Sequence, residues 1–166
     1  MTSAERAPKP PLVVFVCSGN ICRSPMAAAL AADLARHGGL AIRVASAGTS
    51  ALVGLPAETS ARQAVAEVGV ALDQHIACQI SPGHIRDAAL VVALTRAHLG
   101  WLRRRYPAAT HIVNFGELSA LGDVPDPYGG SLEDYRRVRD LLIAGMPRVL
   151  STLMLKAGER VGPKNG

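Results

Sequence analysis

Residues 12–25 have the sequence LVVFVCSGNICRSP, and this stretch determines the fold that we predict for the chain. The apolar, β-branched run Leu12–Val16 is typical of a buried strand. Gly19 and Asn20 tolerate positive φ, which allows the chain to curl into a tight loop. Pro25 suits the first helical position of the alanine-rich segment that follows. The stretch therefore predicts a strand, a curled loop and a helix N-terminus in direct succession.

The predicted loop has the properties of an anion site. Backbone N–H groups and the helix dipole converge where a strand passes through a tight loop into a helix. The same field favours the thiolate form of Cys17, which ends the strand. Arg23 completes a C-x5-R spacing and offers a planar fork that can hold two phosphoryl oxygens. These features favour a nucleophile placed on a bound phosphate over a structural cysteine beside a loop arginine.

Residues 17–25, CSGNICRSP, resemble the phosphate-binding loop of the low-molecular-weight protein tyrosine phosphatases, and the resemblance extends from Leu12 to about Leu155. It implies a flavodoxin-like, phosphatase I-like fold that uses no metal and no cofactor. It implies that Cys17 is the nucleophile and that Arg23 holds the phosphoryl group. The residues expected to bind phosphate are Ser18, Gly19, Asn20, Ile21, Cys22, Arg23 and Ser24.

Strand and helix patterns alternate along the rest of the chain. Further strands are expected at residues 41–46, 90–94 and 111–115, and further helices at residues 56–68, at residues 96–106 and after Ser131. This alternation predicts one α/β domain with a four-stranded parallel sheet and helices on both faces. Ligands of such sheets bind beyond the carboxyl ends of the strands, where Cys17 is placed. Pro147 is expected to kink or break the last helix.

The composition is consistent with one cytoplasmic domain. Within the 166 residues we expect a disordered lead at residues 1–10, the phosphatase domain at residues 11–157 and a disordered tail at residues 158–166. No apolar run has membrane-spanning length, so no membrane partner is expected. The three cysteines fit neither a secreted disulfide framework nor a zinc site, and a catalytic thiol suits a reducing cytoplasm.

The net charge of +5 does not indicate a nucleic-acid partner. Its arginine clusters, at residues 103–105 and 136–139, lie in predicted helices with few aromatic neighbours, which is typical of solvated helix faces. The expected partners are phosphotyrosine-containing proteins, with inorganic phosphate as the product. We expect a monomer or a weak dimer.

Asp126 is the candidate general acid. Cleavage of an aryl phosphate leaves a phenolate, whose conjugate acid has a pKa of about 10, so a proton donor is needed. Asp126 lies between Pro125 and Pro127, which stiffen its loop. An Asp-Pro pair near glycines is by itself more often a turn, but the resemblance places the general acid of the family in an Asp-Pro-aromatic motif. Asp123 lacks the following proline, so Asp126 is preferred.

The resemblance also implies a two-step reaction and a set of residues that hold the loop in shape. Cys17 forms a phosphocysteine while Asp126 protonates the leaving oxygen, and Asp126 then activates water. The loop-supporting residues are Asn20, Ser24, Ser46 and His75. Ser24 is expected to donate a hydrogen bond to the thiolate, to cap the helix, or to do both.

Two other cysteines leave questions open. Cys78 stands in the segment around His75 where the family usually has arginine, which puts the firmness of the loop in doubt. Cys22 matches a cysteine that in relatives forms a reversible disulfide with the nucleophile. A small buried filler is an equally good interpretation of Cys22.

Substrate preference rests on the mouth of the cleft, for which Ile21, Leu52 and Tyr128 are the expected walls. Tyrosine-directed relatives carry isoleucine at the position of Ile21, whereas phosphoarginine-directed relatives tend to carry threonine. Residues 129–132, GGSL, instead resemble bacterial members that include arginine-directed ones. Because Ile21 would touch the substrate, we predict a tyrosine phosphatase, with a protein arginine phosphatase of the same fold as the alternative.

Three other classes are disfavoured. A thiol-linked arsenate reductase shares this loop, but it relays oxidation through two cysteines near the third strand, and this chain has none after residues 90–94 and only Cys78 before them. A silent phosphopeptide-binding module would be expected to lack Cys17, Arg23 or Asp126. A P-loop nucleotide enzyme would need Gly-Lys-Ser/Thr after the loop glycine.

Overall fold

The computed structural model describes residues 7–161, and its centre is a four-stranded sheet. The strands are β1 (Leu12–Cys17), β2 (Arg43–Gly48), β3 (Leu90–Ala93) and β4 (Ile112–Asn114). All pairs are parallel, in the order β2-β1-β3-β4. The predicted α/β fold with a four-stranded parallel sheet is therefore confirmed. In β1 the side chains of residues 13–16 are completely buried, as expected for a strand covered on both faces.

Helices cover both faces of this sheet. They are α1 (Arg23–His37), α2 (Thr59–Ala66), α3 (Pro82–Asp87), α4 (Arg96–Arg105), α5 (Phe115–Ser119) and α6 (Leu132–Val161). Val13 and Phe15 of β1 pack in one core cluster with α1, α2 and α6, while Val14 and Val16 pack in the other with α3 and α4. The short helices α3 and α5 were not predicted, because five or six residues are too few to show helical periodicity.

The last helix, α6, is longer and more continuous than predicted. It runs without interruption through Pro147, so the break allowed for at that residue does not occur. Met146 and Val149, on either side of the proline, are fully buried and hold both halves against the core. By length and composition alone α6 could cross a membrane, but its apolar stripe is used in packing against α1, α2 and α5.

The ends of the domain differ from the expected boundaries. The predicted lead at residues 1–10 falls partly outside the described residues, and residues 7–10 have no regular secondary structure. The predicted tail at residues 158–166 is wrong for residues 158–161, which are helical, while residues 162–166 lie outside the described part. The helix is held there by Arg160, which donates hydrogen bonds to the carbonyl oxygens of Ala88 at 2.8 Å and Arg86 at 3.3 Å.

Candidate active site

The predicted loop joins the carboxyl end of β1 to the start of α1. Of the two residues expected to permit its curl, Asn20 adopts the left-handed conformation, with φ of 59°. The helix begins at Arg23 with Cys22 as its N-cap, so Ser24 is not the cap and Pro25 is not the first helical residue. Pro25 is nevertheless accommodated, because the N–H groups of a first helical turn have no intrahelical acceptor to lose.

The backbone of this loop is turned so that its carbonyl groups face the protein and its N–H groups do not. Each carbonyl from Cys17 to Cys22 accepts a hydrogen bond: from the N–H groups of Thr49, Ser50, Leu52, Glu58 and Met26 and from the His75 ring, at 2.6–3.2 Å. Within residues 7–161, the N–H groups of residues 18–24 donate to no protein acceptor. A ring of backbone donors at a helix N-terminus is a strong anion site, and it consists of the residues predicted to bind phosphate.

Asn20 connects the predicted loop-supporting residues. Its side chain is completely buried, and its Nδ2 donates to Ser24 Oγ at 2.8 Å and Ser46 Oγ at 3.0 Å. Its carbonyl oxygen accepts from His75 Nε2 at 2.6 Å, and burial lowers the pKa of His75, which favours the neutral ring. The structure thus brings Asn20, Ser24, Ser46 and His75 into one hydrogen-bonded group.

Cys78 supports the loop with its backbone. Its N–H donates to Asn20 Oδ1 at 2.9 Å, and its thiol donates to the Ser46 carbonyl at 3.3 Å. Burial raises the pKa of this thiol, so Cys78 remains a neutral donor. The absence of the family arginine put the firmness of the loop in doubt. The structure answers this in part, since the hydrogen bond to Asn20 comes from the backbone and does not depend on the side chain at position 78.

The Cys17 thiol is buried at the bottom of the site, 2.9 Å from Ser24 Oγ. The Ser24 hydroxyl oxygen accepts a hydrogen bond from Asn20. Its proton has two acceptors in reach, the Cys17 sulfur and the Ala47 carbonyl oxygen, which lies at 3.4 Å. The Ser24 proton can therefore point to Ala47 when Cys17 is a thiol and to the sulfur when Cys17 is a thiolate. The geometry accommodates both the thiol and the thiolate form of Cys17 without movement of heavy atoms.

Arg23 and Asp126 meet at the same cleft. The guanidinium is buried and is anchored by a hydrogen bond from Nη1 to the Val124 carbonyl at 3.2 Å. Its Nη2 lies 3.6 Å from Asp126 Oδ2, and the Asp126 side chain is 59% exposed, so the carboxylate remains accessible to a substrate. Each of the two candidate aspartates accepts one backbone N–H: Asp126 Oδ1 from Tyr128 at 3.1 Å, and Asp123 Oδ1 from Arg96 at the start of α4 at 2.9 Å. They differ in position, because Asp126 lines the cleft with Cys17 and Arg23 and Asp123 does not.

Above these groups lies a cleft of about 290 Å³ with the predicted apolar walls. Ile21, Leu52 and Tyr128 line it together with Cys17, Arg23 and Asp126. Leu52 and Tyr128 are 45% and 63% exposed, which leaves area for contact with a ligand. Ser50 also lines the cleft and was not predicted from the sequence.

Cys22 is buried in the same loop as Cys17, and its Sγ lies 3.4 Å from the Tyr135 hydroxyl. Burial raises the pKa of the Cys22 thiol to about 11, against a smaller opposing effect of its hydrogen bond with Tyr135. The group is therefore a neutral thiol in this environment. A protective disulfide between Cys22 and Cys17 stays a prediction.

His98 belongs to the site but was missed by sequence reasoning. It lies at the start of α4, and its Nε2 is 2.8 Å from Ser18 Oγ, across 80 residues of chain. Burial, reinforced by the positive charge of Arg23, lowers the pKa of His98 to about 4. The sequence pattern Thr95-x-x-His98 indicates a helix start but gives no sign of contact with the loop.

Comparison with known proteins agrees with this geometry. The family model of the low molecular weight phosphotyrosine protein phosphatases matches residues 12–158. The chain is 36% identical over 144 residues to a protein-arginine-phosphatase of Geobacillus stearothermophilus (85% of this chain, 95% of the relative). It is 39% identical over 143 residues to the low molecular weight protein-tyrosine phosphatase A of Mycobacterium tuberculosis (81% and 86%). The crystal structure of a low molecular weight protein tyrosine phosphatase from T. tengcongensis superimposes with a TM-score of 0.81 at 33% identity, covering 85% of this chain and 98% of that one. Matches of this extent show that the chain belongs to the low molecular weight phosphotyrosine protein phosphatase family and is a phosphoric monoester hydrolase.

Proposed function

We propose that this protein hydrolyses phosphotyrosine on other proteins through a phosphocysteine intermediate. The observation that carries the proposal is the set of N–H groups of residues 18–24, which have no acceptor within residues 7–161 and belong to the loop that lines the cleft with Cys17. A phosphoryl group in this ring would place its phosphorus in front of Cys17. The Arg23 guanidinium supplies the remaining positive charge, so the site stabilises a dianionic group without a metal ion.

In the first step, the Cys17 thiolate attacks phosphorus, the S–P bond forms and the bond from phosphorus to the phenolic oxygen breaks. Asp126 gives its proton to that oxygen, so the leaving group departs as a neutral phenol. Ser24 donates to the sulfur before the attack and can return to Ala47 as the sulfur loses its charge. The Arg23 anchor at Val124 keeps the guanidinium in place during the displacement.

In the second step, the Asp126 carboxylate takes a proton from a water molecule while the water oxygen attacks phosphorus and a new O–P bond forms. The S–P bond breaks, Cys17 leaves as a thiolate and inorganic phosphate is the product. The half-exposed position of Asp126 suits both roles, because the carboxyl group can reach solvent and substrate from the same place.

The preference for phosphotyrosine rests on the walls of the cleft. Relatives named as arginine phosphatases and as tyrosine phosphatases are similarly close, so overall identity does not choose between them. The exposed faces of Leu52 and Tyr128 can hold a phenyl ring between them. Ile21 also supports this choice, since tyrosine-directed relatives carry isoleucine at its position. Cytoplasmic localisation is part of the proposal and is supported by the three free cysteines.

The reaction is tested with a nitrophenyl phosphate and a phosphotyrosine peptide, both in the presence of a metal chelator. Cys17→Ser is expected to abolish turnover of both. Asp126→Asn is expected to slow hydrolysis of the peptide by about 10²–10⁴-fold. Hydrolysis of the nitrophenyl ester should slow by less, because nitrophenolate leaves without protonation. Asp123→Asn is the matched control and is expected to retain near-normal rates. Full activity of Cys17→Ser, or loss of wild-type activity with the chelator, would contradict the mechanism.

The substrate class is tested with two peptides of one sequence that carry either phosphotyrosine or phosphoarginine. We expect wild-type protein to have the higher kcat/KM on phosphotyrosine, and Ile21→Thr to reduce that preference. A preference of the wild type for phosphoarginine would replace the proposal by the arginine-directed alternative while leaving the two-step chemistry intact.

A further inference from the structure

His98 is a buried group that the two-step mechanism does not use. It is 6% exposed, and its two ring nitrogens both have partners. Nε2 lies 2.8 Å from Ser18 Oγ, and Nδ1 lies 2.9 Å from Thr95 Oγ1. Thr95 is the N-cap of α4, and its hydroxyl oxygen accepts the backbone N–H of His98 at 3.2 Å. A chain of hydrogen bonds thus runs from the start of α4 to the phosphate-binding loop.

Counting the protons available shows which group donates in each of these hydrogen bonds. The low pKa of His98 makes the ring neutral near pH 7, so only one of its nitrogens carries a proton. Within the described residues, Nδ1 of His98 is the one acceptor in reach of the Thr95 hydroxyl proton. If Thr95 donates to Nδ1, the ring proton must be on Nε2, and Nε2 donates to Ser18 Oγ. The Ser18 hydroxyl then keeps its own proton free.

The free proton of Ser18 is at the edge of the cleft. Ser18 is exposed, lines the cleft together with Cys17 and Arg23, and has no other hydrogen-bond partner for its side chain within residues 7–161. We propose that the Ser18 hydroxyl donates a further hydrogen bond to the phosphoryl group, and that His98 is the positioning residue that directs it there. This inference rests on the proposed function only in that the cleft binds a phosphoryl group.

The opposite arrangement has a clear disadvantage. With the ring proton on Nδ1, Ser18 would donate to Nε2 and present only lone pairs to the cleft, where an anion is to be bound. A bound phosphate should therefore favour the Nε2-protonated form of His98. Placing a neutral relay behind a loop hydroxyl adds a donor without adding another charge beside Arg23.

The first experiment measures competitive inhibition by inorganic phosphate, with nitrophenyl phosphate as the reporter. Ser18→Ala is expected to raise the inhibition constant about tenfold, the usual size of one hydrogen bond to a charged group. His98→Leu is expected to have a similar effect, and His98→Gln, which can still donate near the position of Nε2, is expected to recover most of it. The double variant Ser18→Ala/His98→Leu is expected to be no worse than either single variant. Effects that multiply in the double variant, or an unchanged constant in Ser18→Ala, would overturn the proposal.

The second experiment reads the proton directly and needs no variant. Nitrogen-15 NMR of the imidazole in wild-type protein distinguishes a protonated Nε2 from a protonated Nδ1. We expect Nε2 to be protonated in the phosphate complex, and protonation of Nδ1 would overturn the proposal. Neither experiment depends on whether the substrate is phosphotyrosine or phosphoarginine, so failure of the substrate assignment is distinguishable from failure of this inference.

Discussion

Replacing Asn20 by alanine tests how the loop of residues 17–24, which we propose binds phosphate, is held in shape. The Asn20 side chain makes three hydrogen bonds, to Ser24, Ser46 and the N–H of Cys78. At about 1 kcal/mol each, their loss removes about 3 kcal/mol from the free energy of unfolding. The backbone φ of 59° adds a further penalty for alanine. Because this conformation costs a residue such as alanine roughly 1–2 kcal/mol, we expect Asn20→Ala to lose about 4–5 kcal/mol in total.

Asn20→Gly separates the two contributions. Glycine also loses the three hydrogen bonds, but it adopts a positive φ without strain. Its greater freedom in the unfolded chain costs roughly 0.5–1 kcal/mol, so its stability should fall between those of Asn20→Ala and the wild type. Both variants should bind phosphate weakly, because the ring of N–H groups is no longer held in one shape.

Urea denaturation followed by the fluorescence of Trp101, with and without inorganic phosphate, measures both effects. Phosphate should stabilise the wild type in proportion to its binding, and stabilise the Asn20 variants much less. Asn114→Ala is a matched control: Asn114 is also buried, but its Oδ1 caps α5 by accepting the N–H of Glu117. It should lose about 1 kcal/mol and keep the phosphate effect. The reasoning is refuted if the free energy of unfolding of Asn20→Ala lies within about 1 kcal/mol of the wild-type value. It is also refuted if phosphate stabilises Asn20→Ala as much as it stabilises the wild type.

Three further outcomes are expected. Gly48→Ala should weaken phosphate inhibition, because its new Cβ would collide with the Ser18 carbonyl oxygen, whereas Gly158→Ala, which has open space, should bind phosphate normally. Alkylation at neutral pH followed by peptide mapping should leave Cys22 unmodified, since burial raises its pKa to about 11; early labelling of Cys22 would contradict this. His98 has a pKa lowered from 6.5 to about 4, so the unfolded state binds its proton first and stability falls as pH drops through this range. The slope from this group is at most about 1.4 kcal/mol per pH unit, and urea titrations of His98→Gln should show a shallower decline than the wild type.

The parts of the site that the sequence predicts well are those joined by short stretches of chain. The strand, the curl and the helix start lie within residues 12–25, so their order alone places the N–H groups around Cys17. Asp126 lies far from the loop in sequence, and only the resemblance to a family distinguished it from an ordinary turn. The structure adds a physical reason for preferring it, because Asp126 lines the cleft with Cys17 and Arg23, whereas Asp123 is directed to the start of α4.

The contact between His98 and Ser18 could not have been predicted from local patterns. It exists because β3 pairs with β1, with Ala93 beside Val16, so that the chain after β3 begins α4 next to the phosphate-binding loop. Strand order is a property of the whole sheet, and the sequence near position 98 contains no local pattern that would predict it.

At Cys78 the sequence led to the opposite kind of error. The absence of the family arginine suggested that the loop has lost a support, whereas the structure shows a hydrogen bond from Cys78 to Asn20. The family arginine is missing, yet the Asn20 side chain still receives a hydrogen bond from position 78, through the backbone N–H. Any residue except proline can supply that donor. The chain before and after Cys78 is fixed by main-chain bonds to Gly54 and Gly48, which set the position of the N–H independently of the side chain. The side chain at position 78 is therefore free to vary as long as these main-chain bonds are kept. The hydrogen bond that residue 78 donates to Asn20 does not depend on which side chain is present there.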